Sequence, residues 1–163
     1  MHAPRIGPYT LDALIGRGGM GVVWRATHRP SGLPVAIKLW TGMGNAAHWY
    51  RAALSRELRA IAALDHPHVI VVHDAGHVTA DEAARCRSSP GALFVVTELA
   101  DTDLARDRPS AWSYVRPVLL AILDGLAHAH ARGIVHRDLK PENVLRVGAT
   151  WKLADFGIAT VAG

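Results

Sequence analysis

Hydrophobic and polar positions alternate and break along YTLDALIGRGGMGVVWRATHRPSGLPVAIKLW, which predicts three short strands. A glycine-rich turn separates the first two strands, and HRPSGLP separates the second from the third. Asn45 then suits the cap of a helix running to about Leu64. Its residues Leu54, Glu57, Leu58, Ile61 and Leu64 fall on one face by their i, i+3, i+4 and i+7 spacing. Glu57 therefore points with the apolar stripe and calls for a cationic partner. VIVVHDAGHV and ALFVVTEL predict two more strands, with TADEAARCRSSPG between them as an exposed loop. A second helix is expected over about Ser113–Arg132, with Val115, Val118, Leu119, Ile122 and Leu126 on its apolar face and Gly133 at its stop. NVLRV and TWKLADF predict a hairpin around Gly148.

Composition adds limits rather than a function. The 163 residues are half hydrophobic and one-fifth charged, as in one globular domain or two small lobes. The net charge is +4, but the arginines are scattered and no basic stretch carries interleaved aromatics. The excess reads as an ordinary Arg-rich surface, and no nucleic-acid partner is expected. Cys86 is the single cysteine, so no internal disulfide forms and a reducing, cytoplasmic setting is expected. No apolar run approaches a membrane span, and MHAPRIGPYT has no signal-peptide core.

Chemistry enters with IGRGGMGVV, which sets Gly16, Gly18 and Gly21 in a G-x-G-x-x-G array ahead of Val23. Glycines leave backbone N–H groups open to phosphate oxygens. The dinucleotide fold uses the same spacing but needs a helix to start at the third glycine, and here VVWRAT reads as strand. Lys38 lies within the apolar strand that follows. It reads either as a lysine snorkelling at a strand edge or as one held by Glu57 and phosphate.

The stretch HRDLKPENVL packs His136, Arg137, Asp138, Lys140, Glu142 and Asn143 into ten positions. Such a density of polar groups fits a solvated loop or groups held for chemistry, not a core element. Gly16-x-Gly18-x-x-Gly21-x-Val23, Ala36-Ile37-Lys38, Glu57, His136-Arg137-Asp138 with Asn143, and Asp155-Phe156-Gly157 follow one another in the order of a protein kinase. From about Tyr9 onward the chain resembles a protein kinase domain of the bacterial, eukaryotic-like Ser/Thr type. The resemblance implies an α+β fold. Residues 1–99 would form the small lobe, a five-stranded antiparallel sheet with one long helix, and 100–163 the first part of a mainly helical large lobe. The nucleotide would bind in the cleft between them.

Site residues follow from the same resemblance. Asp138 would orient the substrate hydroxyl and take its proton late, while Lys140 would stand beside the γ-phosphate and favour Ser/Thr over tyrosine. Lys38, held by Glu57, would reach the α- and β-phosphates, and Asn143 and Asp155 would ligate Mg²⁺. Ile15, Gly16, Gly18, Gly21, Val23 and Ala36 would cover the ATP, with Leu145 beneath. Thr97 would be the gatekeeper, and the backbone of Glu98 and Ala100 would reach the adenine edge. Asp101 and Asp103 both suit the ribose. Ile61, His136 and Phe156 would form a hydrophobic stack, and Arg137 would await an activation-loop phosphate.

The remaining histidines, His66-x-His68, His73 with His77, and His128-x-His130, fall where the kinase scaffold expects a turn, strand or helix, so a metal site is not the favoured reading. Cys86, in its loop, is a candidate reactive thiol, but nothing nearby suggests a lowered pKa. The chain stops at Gly163, six residues after Gly157, ahead of the activation segment and later helices the resemblance implies. The expectation is thus an ATP- and Mg²⁺-dependent Ser/Thr protein kinase acting on protein substrates, with a second polypeptide completing the large lobe. The alternative is an inactive nucleotide-binding remnant or interaction module. The bare apolar face of the 113–132 helix is expected to leave the second half poorly stable.

Overall fold

The computed structural model describes residues 3–18, 21–40, 58–86, 88–108 and 110–156. Two compact units emerge, one from Met1–Arg51 and Val72–Leu99, the other from Ala52–Val71 and Ala100–Gly163. The predicted helix start at Asn45, and Glu57 itself, lie outside the described residues; residues 58–62 are helical.

The first unit is built on an antiparallel sheet of β1 (Arg5–Ile6), β2 (Tyr9–Gly18), β3 (Gly21–His28), β4 (Pro34–Trp40), β5 (Val72–His77) and β6 (Leu93–Glu98), in the order β1-β2-β3-β4-β6-β5. The sheet thus has six strands where five were expected. The extra one is a two-residue strand that folds back through Gly7, at φ 49°, to pair Ile6 with Tyr9, too short to leave a pattern in sequence. One face of the sheet is the core: Leu11, Ala26, Val35, Ile37, Leu39 and Val96 are all buried there.

A second correction concerns Thr79–Gly91, expected as an exposed loop. It contains a helix, α1 (Ala80–Cys86). Thr79 caps it: its Oγ1 accepts from the Glu82 N–H at 3.3 Å, and Glu82 accepts in return from the Thr79 N–H at 2.8 Å. α1 reaches across to β1. Glu82 Oε1 accepts from the Gly7 N–H at 2.6 Å, and Cys86 Sγ donates to the Arg5 carbonyl at 3.4 Å. The Tyr9 hydroxyl on β2 donates to Asp74 Oδ2 on β5 at 3.3 Å, so the sheet curls until strands far apart in its order meet. Cys86 is buried with Ala83 in this core, and burial raises its thiol pKa, which makes it a packing residue.

In the second unit, α2 (Trp112–His130) packs on the hairpin of β8 (Val144–Val147) and β9 (Thr150–Leu153), which β7 (Thr102–Asp103) extends to three strands. Gly148, at φ 58°, makes the hairpin turn. The buried side of α2 is Val118, Ala121, Gly125 and Ala129. The predicted face is therefore rotated: Val118 is buried as expected, but Leu119 is exposed. At Gly125 the backbone of His68 lies against the helix. A Cβ on Gly125 would come 2.7 Å from the His68 carbonyl oxygen. Trp112, Leu119, Leu120 and Leu123 remain exposed. Among the described residues no helix is long and apolar enough to cross a membrane.

Candidate active site

Strand register gathers one group of predicted site residues. Val23 on β3 and Val95 on β6 flank Lys38 on β4, Ala36 faces Thr97, and Gly16 faces Val23. Directly paired residues share a sheet face, so Gly16, Gly21, Val23, Ala36, Lys38 and Thr97 all lie opposite the core face. Ile15 is exposed on β2. Thr97 donates from Oγ1 to the Glu98 carbonyl at 3.1 Å. The Lys38 ammonium lies 5.2 Å from the centroid of the Trp40 ring. Its expected partner Glu57 is outside the described residues.

The three glycines differ in what demands them. A Cβ on Gly21 would overlap the Leu39 carbonyl, so strand packing alone excludes a side chain there. A Cβ on Gly18 would meet nothing within 4 Å. Among the described residues nothing in the packing requires that glycine, which fits a position kept open for something that binds.

The second group is local to one loop. α2 ends through Gly133, at φ 72°, and the Ile134 N–H donates to the Ala129 carbonyl at 3.0 Å. The chain then enters His136, which is buried: Nε2 donates to the Ala154 carbonyl at 2.9 Å, and the ring packs on Phe156 with centroids 4.6 Å apart. Burial lowers the imidazole pKa, outweighing the bond to Ala154. Arg137 and Asp155 both hold positive φ, 61° and 55°, the only described non-glycine residues to do so. Strain of this kind is retained where surrounding structure forces it.

Asp138 is the focus of the loop. Its Oδ2 accepts from Lys140 Nζ at 2.8 Å and from Asn143 Nδ2 at 3.0 Å, and the same Nδ2 donates to the Asp138 carbonyl at 2.8 Å. The Lys140 bond is the chief cause that lowers the Asp138 pKa, with Asn143 adding to it; Lys140 is raised in return. Among the described residues both side-chain donors use Oδ2, and none bonds Oδ1. A one-turn 3₁₀ helix, Pro141–Asn143, carries Asn143 inward to 5% exposure. The Ala154 N–H donates to the Asn143 carbonyl at 2.9 Å, which ties this turn to the segment leading into Asp155. Since the Asn143 nitrogen is committed to Asp138, its carboxamide oxygen is the group left to present, and that oxygen with the Asp155 carboxylate is a hard-oxygen pair suited to Mg²⁺. Leu145 follows on β8, facing Asp103 and Lys152 in register. Asp101 is engaged by the Gly148 N–H at 2.8 Å, and Asp103 by the Arg106 N–H at 3.0 Å.

Residues 9–163 match the family described as the protein kinase domain. This chain belongs to the protein kinase family. Among its similar relatives are two serine/threonine-protein kinases of Mycobacterium tuberculosis. PknH is 37% identical over 155 residues, covering 94% of this chain and 24% of PknH. PknE is 36% identical over 162 residues, covering 96% and 27%. The crystal structure of the M. tuberculosis PknI kinase domain superposes with a TM-score of 0.75 at 29% identity, covering 98% of this chain and 63% of that one. This kinase chain spans about a quarter of the length of the curated relatives it matches.

The histidines that tempted a metal reading are partly brought together. His66 and His128 rings lie 4.7 Å apart, with His66 Nε2 3.5 Å from Asp124. Among the described residues no group of three or more His, Cys, Asp or Glu side chains is placed to hold a metal ion. Sequence reading passed over Trp40. Its signal was the strand period itself, which puts it on the same face as Lys38.

Proposed function

We propose that this chain is the nucleotide-binding and catalytic-loop part of an ATP-dependent serine/threonine protein kinase, transferring a γ-phosphoryl group to hydroxyls of protein substrates. The convergence of Lys140 and Asn143 on Asp138 Oδ2 carries the reading. Bound Mg·ATP supplies the transferable phosphoryl group and the charge that neutralises its transition state. The chain's own residues hold and orient.

Asp138, whose pKa Lys140 lowers, accepts a hydrogen bond from the substrate hydroxyl and so points its oxygen toward the phosphorus. A carboxylate with a lowered pKa is a weak base, so the proton moves to it late, when the hydroxyl has become acidic. Lys140 then serves both Asp138 and the γ-phosphate. Asn143 and Asp155 would hold the magnesium ion. Gly16, Gly18 and Gly21 would offer backbone donors to the phosphates, and Lys38 would contact the α- and β-phosphates, with Glu57 as the partner that the family resemblance implies. On the first unit Ile15, Val23 and Ala36 would cover the base, with Thr97 as gatekeeper and the Glu98 backbone at the adenine edge; Leu145 and the Ala100 backbone are the further contacts that the family resemblance implies. Protein substrates and a cytoplasmic setting with its ATP supply belong to the same reading.

A second reading, a nucleotide-binding module without transfer, draws support from the exposed Trp112, Leu119 and Leu123 of α2, which suit contact with another polypeptide. Incubation with γ-labelled ATP and a Ser/Thr peptide library separates the two. Transfer that disappears in Asp138→Asn upholds the kinase; saturable ATP binding with no transfer at any added partner upholds the module.

A further inference from the structure

Trp40 is the last residue of β4 and is 3% exposed, yet it does not belong to the sheet's core face. Val35, Ile37 and Leu39 take that face, so Ala36, Lys38 and Trp40 leave the strand on the other side. Among the described residues two neighbours mark its place there. Along the strand, the Lys38 ammonium stands 5.2 Å from the ring centroid, within cation–π range. Across the strand, Trp40 is paired with Gly21, the last glycine of the G-x-G-x-x-G array. Gly21 has no side chain and, with the Leu39 carbonyl against it, no room for one. The indole therefore stands beside the lysine, on a residue paired across the strands with the end of the glycine turn.

We infer that Trp40 is a positioning residue for the phosphate-binding half of the site: its indole holds the Lys38 ammonium over the sheet beside the glycine turn before any nucleotide arrives. This rests on the nucleotide-binding reading above. The physical argument is pre-organisation. A lysine has four rotatable carbons and loses much rotamer freedom when its charge is fixed. A buried aromatic face attracts the ammonium while leaving its charge intact, so the cation can still meet phosphate oxygens. An aliphatic residue of similar bulk would fill the same space and lack that attraction. The strand period alone does not explain a ring here, since any apolar residue would continue the sheet.

The test uses the whole chain with ¹³C-labelled lysine. Lys38, Lys140 and Lys152 are the three lysines, so three side-chain methylene signals are expected, and Lys38→Arg identifies one. In the unaltered protein the Lys38 signal is expected upfield of the other two, shifted by the indole ring current. Trp40→Leu should return it toward them and weaken Mg·ATP binding about fivefold, while Trp40→Phe should fall between. If Trp40→Leu does not fold, Trp40→Phe gives both readings with a smaller loss. An unshifted Lys38 signal, or unchanged Mg·ATP affinity in a folded Trp40→Leu, overturns the inference and leaves the nucleotide reading standing. Failure of Mg·ATP to move the Lys38 signal in the unaltered protein overturns the nucleotide reading, and the role of Trp40 goes with it.

Discussion

His136 and Phe156 stack with ring centroids 4.6 Å apart, and the same imidazole holds the Ala154 carbonyl through Nε2. One histidine thus fixes the backbone that leads into Asp155 from the loop that carries Asp138. Because the carbonyl can only accept, Nε2 carries the proton, and Nδ1 is buried without a hydrogen-bond partner among the described residues. The native state needs the neutral ring.

This makes stability pH-dependent in a defined direction. The folded pKa of His136 is lowered, so the unfolded chain binds the proton first. Stability is fully present above the ordinary imidazole value of about 6.5 and declines as pH falls from there toward the folded value. Melting temperature measured from pH 8 to pH 5 should fall on the acid side, and His136→Phe should flatten that part of the curve.

The Lys140–Asp138 bond lowers the pKa of the proposed catalytic carboxylate. Lys140→Ala removes the largest cause of its lowered pKa, so the Asp138 carboxyl should titrate higher, seen by ¹³C NMR of labelled aspartate. Asp138→Asn should leave the fold intact, since an amide fills the same space, and lower any phosphotransfer about 10²–10⁴-fold.

The glycines of the turn should divide by cause. Gly21→Ala forces a Cβ onto the Leu39 carbonyl and should cost about 1–3 kcal/mol of stability. Gly18→Ala has free space and should change stability by less than about 0.5 kcal/mol. It should nonetheless weaken Mg·ATP binding, measured by the ligand-induced rise in melting temperature. Equal loss of stability in both would contradict the division.

Gly125→Ala tests the seating of α2. The His68 carbonyl that it would strike belongs to backbone held in place: the His68 ring bonds the Trp151 carbonyl at 2.9 Å, and the Leu153 N–H donates to the His68 carbonyl at 2.9 Å. The segment cannot retreat cheaply. About 1–3 kcal/mol should be lost in urea unfolding.

Legibility in the sequence followed the strength of the local signal. β2, β3 and β4 were readable because alternation and turn residues agree over seven or more positions each. α1 was hidden because its seven residues bury only Ala83 and Cys86, too little for a period, and Ser89-Pro90-Gly91 beside it argues for a loop. α2 was found with its buried side misplaced. Large apolar residues signal a core, whereas here the inward side carries Ala121, Gly125 and Ala129, and at Gly125 the His68 backbone leaves no room for a side chain. In the catalytic loop the residue types were plain from HRDLKPEN. That Lys140 and Asn143 share a single oxygen of Asp138 depends on the 3₁₀ turn and on positive φ at Arg137, which residue spacing does not encode.

The bonds between β1 and α1 also bear on the order in which the first unit is made. Gly7 meets Glu82 across 75 positions, and Arg5 meets Cys86 across 81. Ile6, wholly buried, leaves the ribosome long before Cys86 and is among the last in this unit to find its cover. Closing so long a loop is slow compared with local pairing. Nascent chains arrested with Cys86 still in the exit tunnel should be cut by protease near Ile6, and longer ones should not. Synthesis from the amino end therefore keeps β1 of this kinase waiting until its fifth strand and the helix after it have emerged.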